Sequence, residues 1–170
     1  MNYSIFIDVK RCTGCQACSV ACMDQNDLEV SQENLTWRQV FKVENGQEPE
    51  AKVAYISMGC MHCDDAPCLL ACPTGAIKRD LTTDAVDVSQ ELCIGCRSCS
   101  LACPFGVPRF GLDGKMQKCN QCLIRVKNDL EPACVRTCPT KALKFGPVNQ
   151  IEHEIEGQAA ARLVRSLRHL

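Results

Sequence analysis

Residues 93–104 read Cys93-Ile94-Gly95-Cys96-Arg97-Ser98-Cys99-Ser100-Leu101-Ala102-Cys103-Pro104. The spacing, C-x2-C-x2-C-x3-C-P, lets three thiolates on a turning backbone converge on one [4Fe–4S] cube. The fourth cysteine, followed by a helix-ending proline, points toward a neighbouring cube. Such a run implies a second close by, and the chain holds four of this general kind. The first is Cys12, Cys15, Cys18 and Cys22, with Met23 in place of the proline. The second, Cys60, Cys63, Cys68, Cys72 and Pro73, has four residues in its middle gap. The fourth, Cys119, Cys122, Cys134, Cys138 and Pro139, has eleven.

Composition makes these cysteines structural as well as chemical. Sixteen of 170 residues are cysteine. Without them the 46% apolar content falls to about 37%, a thin supply for a core with eight aromatics. Eight disulfides, four all-cysteine zinc sites and four clusters each account for sixteen thiols. Disulfides suit small secreted chains, whereas the segment Met1–Asp8 has neither a basic region nor an apolar stretch of signal length. Structural zinc takes two separated C-x2–4-C pairs and has no use for a third cysteine three residues on, or for a repeated Cys-Pro. Four [4Fe–4S] clusters are therefore expected. The formal charge of −1 then misstates the electrostatics: sixteen thiolates and four +2 cores leave about −9. Sulfur-directed backbone N–H groups follow as a need.

No basic footprint supports nucleic-acid binding, and no apolar run reaches transmembrane length. A cytoplasmic location is the default, with export alongside a signal-bearing partner as the alternative. No Ser/His/Asp set, phosphate loop or open metal site marks the chain as an enzyme. His62, between two ligands, reads either as a donor to sulfur or as a surface or packed side chain.

Strands are expected at Tyr3–Val9, around Trp37–Val43 and at Lys52–Ser57, with Asn45-Gly46 as a hairpin signal. Residues 24–52 read as a polar insertion covering a face, or as a solvated loop with one buried Trp37. A further hairpin runs from Ala76–Lys78 to Ala85–Val88. Cys72-Pro73-Thr74-Gly75-Ala76-Ile77-Lys78 recurs as Cys138-Pro139-Thr140-Lys141-Ala142-Leu143-Lys144, evidence of duplication. By that repetition the strand at Ala142–Gly146 needs a partner, and the N-terminal strand is left over. Runs one and four thus close as an outer unit (1–55 and 115–150), around an inner unit of runs two and three (56–114). Exchange of fourth ligands gives Cys12, Cys15, Cys18 and Cys138 for cluster 1, and Cys119, Cys122, Cys134 and Cys22 for cluster 2. Cluster 3 takes Cys60, Cys63, Cys68 and Cys103; cluster 4 takes Cys93, Cys96, Cys99 and Cys72. The fold class is α+β: two ferredoxin-like units with short hairpins and helices. A tail (151–170) follows, amphipathic and helical from Gly157, where Leu163, Val164 and Leu167 oppose Arg162, Arg165 and Arg168. It packs on its own domain or docks a partner.

The chain resembles the four-cluster iron–sulfur subunit of dimethyl-sulfoxide-reductase-type molybdenum and tungsten enzymes. The resemblance rests on Phe6-Ile7-Asp8 through Cys15, Cys60-Met61-His62-Cys63 with Ala66-Pro67-Cys68, Cys93–Arg97, Ala102–Gly106, Lys118-Cys119 to Cys138-Pro139, and Ala142–Pro147. It implies a non-catalytic electron-transfer subunit with the cluster pairing above. It also implies a large Mo/W-bis-pterin catalytic partner and a further electron carrier or third subunit. The alternative expectation is a polyferredoxin, self-associating through its tail. It would wire a tungsten aldehyde oxidoreductase, formate dehydrogenase, hydrogenase or carbon monoxide dehydrogenase complex.

Overall fold

A computed structural model describes residues 3–28 and 36–167, with no account of side chains at 158 and 162–167. Among the described residues, eight strands and six helices follow in chain order. The strands are β1 (Tyr3–Ile7), β2 (Gln39–Asn45), β3 (Lys52–Met58), β4 (Ile77–Arg79), β5 (Val86–Val88), β6 (Arg109–Phe110), β7 (Met116–Gln117) and β8 (Leu143–Pro147). The helices are α1 (Ala17–Gln25), α2 (Pro67–Leu70), α3 (Ser98–Ala102), α4 (Leu123–Val126), α5 (Ala133–Thr137) and α6 (Val148–Leu167). Every sheet is an antiparallel pair: β1 with β8, β2 with β3, β4 with β5 and β6 with β7. Two-stranded ribbons are marginal alone, so each depends on what packs against it.

The N-terminal strand pairs with the strand after the last ligand run, Tyr3 opposite Pro147 and Ile7 opposite Leu143. Tyr3 and Phe145 stack on it with ring centroids 5.3 Å apart. The helices pair in the same sense. Helix α1, from the first run, packs on α5, from the fourth, while α2 packs on α3, from the second and third. Two small cores result. One gathers Val135, Ala142 and Leu143 with Cys18, Cys134 and Cys138. The other gathers Ala66, Ile77, Val86 and Met116 with Cys99. In both, cysteines are core residues.

The polar stretch after the first run is not mainly a solvated loop. Its β2 forms a seven-residue ladder with β3, from Gln39 opposite Met58 to Asn45 opposite Lys52. The turn follows Asn45, as the Asn-Gly pair signals, but is longer than two residues, spanning 46–51. The deeply buried residue here is Arg38, 4% exposed, not Trp37, which is half-buried and donates from Nε1 to Gln117 Oε1 at 3.3 Å.

The C-terminal helix starts at Val148, nine residues before the expected Gly157. Pro147 ends β8 and the chain turns directly into α6. Gly157 lies inside the helix, where glycine is costly by about 1 kcal/mol but tolerated. Ile151 approaches Gly146 of β8, and Lys144 pairs with Glu154, so the first turns of α6 pack on the chain's own sheet. The expected amphipathic face at Leu163, Val164 and Leu167 lies outside the described side chains.

Candidate iron–sulfur centres

Each ligand loop relies on backbone conformations that side chains resist. In the first and third runs, glycine between the first two cysteines is left-handed: Gly14 at φ 73° and Gly95 at φ 68°. A Cβ on Gly14 would fall 2.5 Å from the Tyr55 ring, and one on Gly95 would fall 2.6 Å from the Gly114 carbonyl. Glycine is thus needed twice over, for conformation and for close approach. Gln16 and Arg97 then enter α1 and α3 through left-handed caps, which turns the third cysteine of each run back toward the first two.

The cysteines line narrow hollows in groups drawn from different runs. Cys12, Cys15, Cys18 and Cys138 line one, with Ile7, Val40 and Leu143 as apolar walls. Cys22, Cys119, Cys122 and Cys134 line another, walled by Ile5, Trp37 and Pro132. Cys72, Cys93, Cys96 and Cys99 line a third, against Ile77, Phe110 and Met116. Cys68 neighbours both Cys103 and Cys60, and each contact raises a thiol pKa within this last group. Among the described residues, no three Cys, His, Asp or Glu side chains converge closely enough to hold one metal ion. The sulfurs ring a volume, which suits a polynuclear cluster.

The sulfurs accept hydrogen bonds from nearby backbone and hydroxyl groups. Met116 N–H donates to Cys93 Sγ at 3.3 Å, Ala142 N–H to Cys138 Sγ at 3.3 Å and Gln121 N–H to Cys119 Sγ at 3.5 Å. Ser57 Oγ lies 3.3 Å from Cys18 Sγ. Thr74 and Thr140, equivalent in the repeated Cys-Pro-Thr motif, each sit 3.7 Å from the cysteine two residues before. Burial works against the Cys72 and Cys138 thiolates, but backbone N–H groups, Ile77 and Leu143 foremost, and these hydroxyls outweigh it and lower both pKa values. By contrast, burial pushes Cys22 and Cys134 up to about 12, with neighbouring cysteines adding to the rise. Iron must displace protons there. An all-sulfur donor set, apolar walls and sulfur-directed N–H groups fit [4Fe–4S] clusters.

The four groups adjoin in one order. Cys18 and Cys134 are electrostatic neighbours, linking the first group to the second. Cys60 and Cys119 link the second to the third. Cys68 packs in one core with Cys72, Cys93 and Cys99, linking the third to the last. The end groups reach the surface through exposed Cys15 and Cys96.

Sequence alone gave no role to three residues around these groups. Arg38 lies in the polar insertion. Lys118 precedes Cys119 yet is only 2% exposed, bonding the carbonyls of Val86 and, at 3.0 Å, Cys119. Ser57 sits in an otherwise ordinary strand. His62 is buried and packed, not at the surface. Its Nδ1 accepts from Val86 N–H at 2.9 Å, while burial, aided by Lys118, Arg38 and Arg79, holds its pKa well below the usual range. It is therefore a neutral ring with Nε2–H inward, and that nitrogen has no partner among the described residues.

Comparison with known proteins agrees with this chemistry. Two models described as 4Fe-4S dicluster domains match, at residues 11–76 and at 51–148, the latter more than half the chain. The probable anaerobic dimethyl sulfoxide reductase subunit YnfG of Escherichia coli K12 is 38% identical, across 90% of this chain and 77% of its own length. The B subunit of anaerobic dimethyl sulfoxide reductase from the same organism is 38% identical over 170 residues, covering 94% and 80%. The iron–sulfur subunit of its nitrate-inducible formate dehydrogenase is 36% identical, covering 96% of this chain and 60% of that one.

Proposed function

Because the chain belongs to the 4Fe-4S dicluster iron–sulfur subunits of dimethyl-sulfoxide-reductase-type molybdopterin oxidoreductases, we propose that it relays single electrons along a line of four [4Fe–4S] clusters. One end of that line meets a Mo- or W-bis-pterin catalytic subunit. The chain is the wire of the complex and does no substrate chemistry itself. The observation that supports this reading is that cysteines from different runs line shared hollows that adjoin in sequence, with exposed cysteines only in the two end groups.

When bound, the clusters supply one-electron redox capacity. The chain's own residues set the conditions. Ile7, Phe110, Met116 and Pro132 exclude water from the cavities. N–H groups of Met116, Gln121 and Ala142 spread negative charge off sulfur. Burial and hydrogen bonding of this kind are the levers that position cluster potentials. The ligand sets supported by this geometry are Cys12, Cys15, Cys18 and Cys138; Cys22, Cys119, Cys122 and Cys134; Cys60, Cys63, Cys68 and Cys103; and Cys72, Cys93, Cys96 and Cys99. They divide the chain into interleaved units, outer (1–55 with 115–150) and inner (56–114). The two matched segments instead follow sequence order and overlap at 51–76.

Metal and sulfide analysis of the native complex, purified without oxygen, tests the reading. About sixteen irons on this chain, with Mo or W on a co-purifying large subunit, is the expected result. Zinc in place of iron would overturn it. Iron with no pterin partner, and end-to-end oligomers, would replace it with a self-associating polyferredoxin.

A further inference from the structure

We propose that Arg38 is the residue that sets the potentials of clusters 1 and 2 together, by holding one fixed positive charge between them. The inference rests on the four-cluster reading and extends it to a side chain outside the ligand runs.

Arg38 is 4% exposed, a burial that charged side chains rarely accept without compensation. Its protein hydrogen bonds are few: Nη1 donates to the Ser57 carbonyl at 3.3 Å and to Ser57 Oγ at 3.2 Å. Nε is buried with no partner among the described residues. Among the described residues, its principal electrostatic neighbours are the sulfurs of Cys134, Cys119, Cys18 and Cys22. Cys18 belongs to the first cysteine group, the other three to the second. Arg38 lines the second group's hollow beside Cys22, Cys119 and Cys134, and Ser57 Oγ joins it to Cys18 of the first. The chain makes room for the residue, since a Cβ on Gly59 would meet Arg38 Nη2 at 2.9 Å. By accepting from Arg38, Ser57 Oγ is left to donate its own proton to Cys18 Sγ, 3.3 Å away. Arg38 thus acts on cluster 1 through Ser57 and through space, and on cluster 2 through space.

A cation fixed in a low-dielectric site favours the more negative, reduced state of any cluster beside it. Lys118 offers the matching control one step along. It is 2% exposed, and its charge acts on Cys60 and Cys68 of the third group while its ammonium bonds the carbonyl of Cys119 in the second.

The test is a redox titration of the full chain, monitored by low-temperature EPR, for the unmodified protein and for Arg38→Gln, Arg38→Met, Arg38→Lys and Lys118→Met. Iron content is measured on each. Arg38→Gln should make reduction of two of the four clusters about tenfold less favourable, a fall of about 59 mV for one electron. Arg38→Lys should restore most of that. Lys118→Met should lower two clusters as well, one of them shared with Arg38→Gln. Full iron loading in Arg38→Gln with no cluster shifted, with all four shifted alike, or with no cluster common to the two variants overturns the assignment. If Arg38→Gln fails to load iron, Arg38→Met decides: a fall in two clusters, one of them shared with Lys118→Met, supports the role, and unchanged or uniformly changed potentials overturn it. Fewer than four reducible clusters in the unmodified chain would instead overturn the four-cluster reading.

Discussion

Cys72 closes the second run in sequence, yet it shares its hollow with Cys93, Cys96 and Cys99 of the third. Serine there should therefore disturb the cluster held by the later run. Cys72→Ser is expected to alter the same EPR signal as Cys96→Ser and to spare the one altered by Cys63→Ser; the opposite pairing would refute exchange of the fourth ligand. The cysteines were legible as candidate ligands, because thiolate spacing on a turning backbone is a local property that the sequence writes directly. Arg38, Lys118 and Ser57 were not legible. Their importance comes from which loops fold over them, and a lone cation in a polar stretch looks the same whether solvated or buried. Trp37 was the natural candidate for burial by hydrophobicity, but the arginine beside it is the deeply buried residue, with Gly59 leaving space for its guanidinium.

Among the elements, the β4–β5 hairpin shows how little local structure the inner unit has to spare. Asp80 closes it: Oδ1 accepts from Thr82 N–H at 3.1 Å and from Thr83 N–H and Oγ1 at 3.0 Å each. Oδ2 meets Lys127, just past α4, at 2.6 Å. Lys127, together with the Thr83 bonds, holds the Asp80 carboxyl down at about 2. The ammonium is half exposed, so the ion pair itself adds little; the turn bonds matter more. Asp80→Ala should cost about 1–2 kcal/mol and speed amide exchange at Thr82, Thr83 and Val86, as hydrogen-exchange mass spectrometry can read. Unchanged protection would mean that the hairpin is held from outside. The sequence located this hairpin by its short apolar strands around a polar turn, and the β1–β8 partnership by repetition of the Cys-Pro-Thr motif. It misplaced the start of α6 because Gly157 looked like a boundary, whereas Pro147 and the packing of Ile151 against β8 are what fix the helix.

At the scale of the whole molecule, the largest fully buried side chains among the described residues are Lys118, Met116, Val86 and Pro132, a poor inventory for a core. Cysteines fill the cores that aliphatic residues would otherwise occupy, so iron binding and folding are one event. Chelation of iron under anaerobic conditions should collapse near-UV dichroism and broaden thermal unfolding to a non-cooperative slope. A sharp melt of the iron-free chain would show an independent core. Among the described residues no helix is long and apolar enough to cross a membrane.

The clasp of β1 against β8 also imposes a calendar on biosynthesis. The strand made first finds its partner only when Leu143–Pro147 has left the ribosome, and Cys138 emerges just before it. At about 5–20 residues per second, the first three cysteines of the chain wait many seconds for the segment that encloses them. The inner ligand runs are complete well before. The end of the wire that is translated first is thus finished last, and thiols at Cys12, Cys15 and Cys18 must be shielded from oxygen and stray metal through the whole interval.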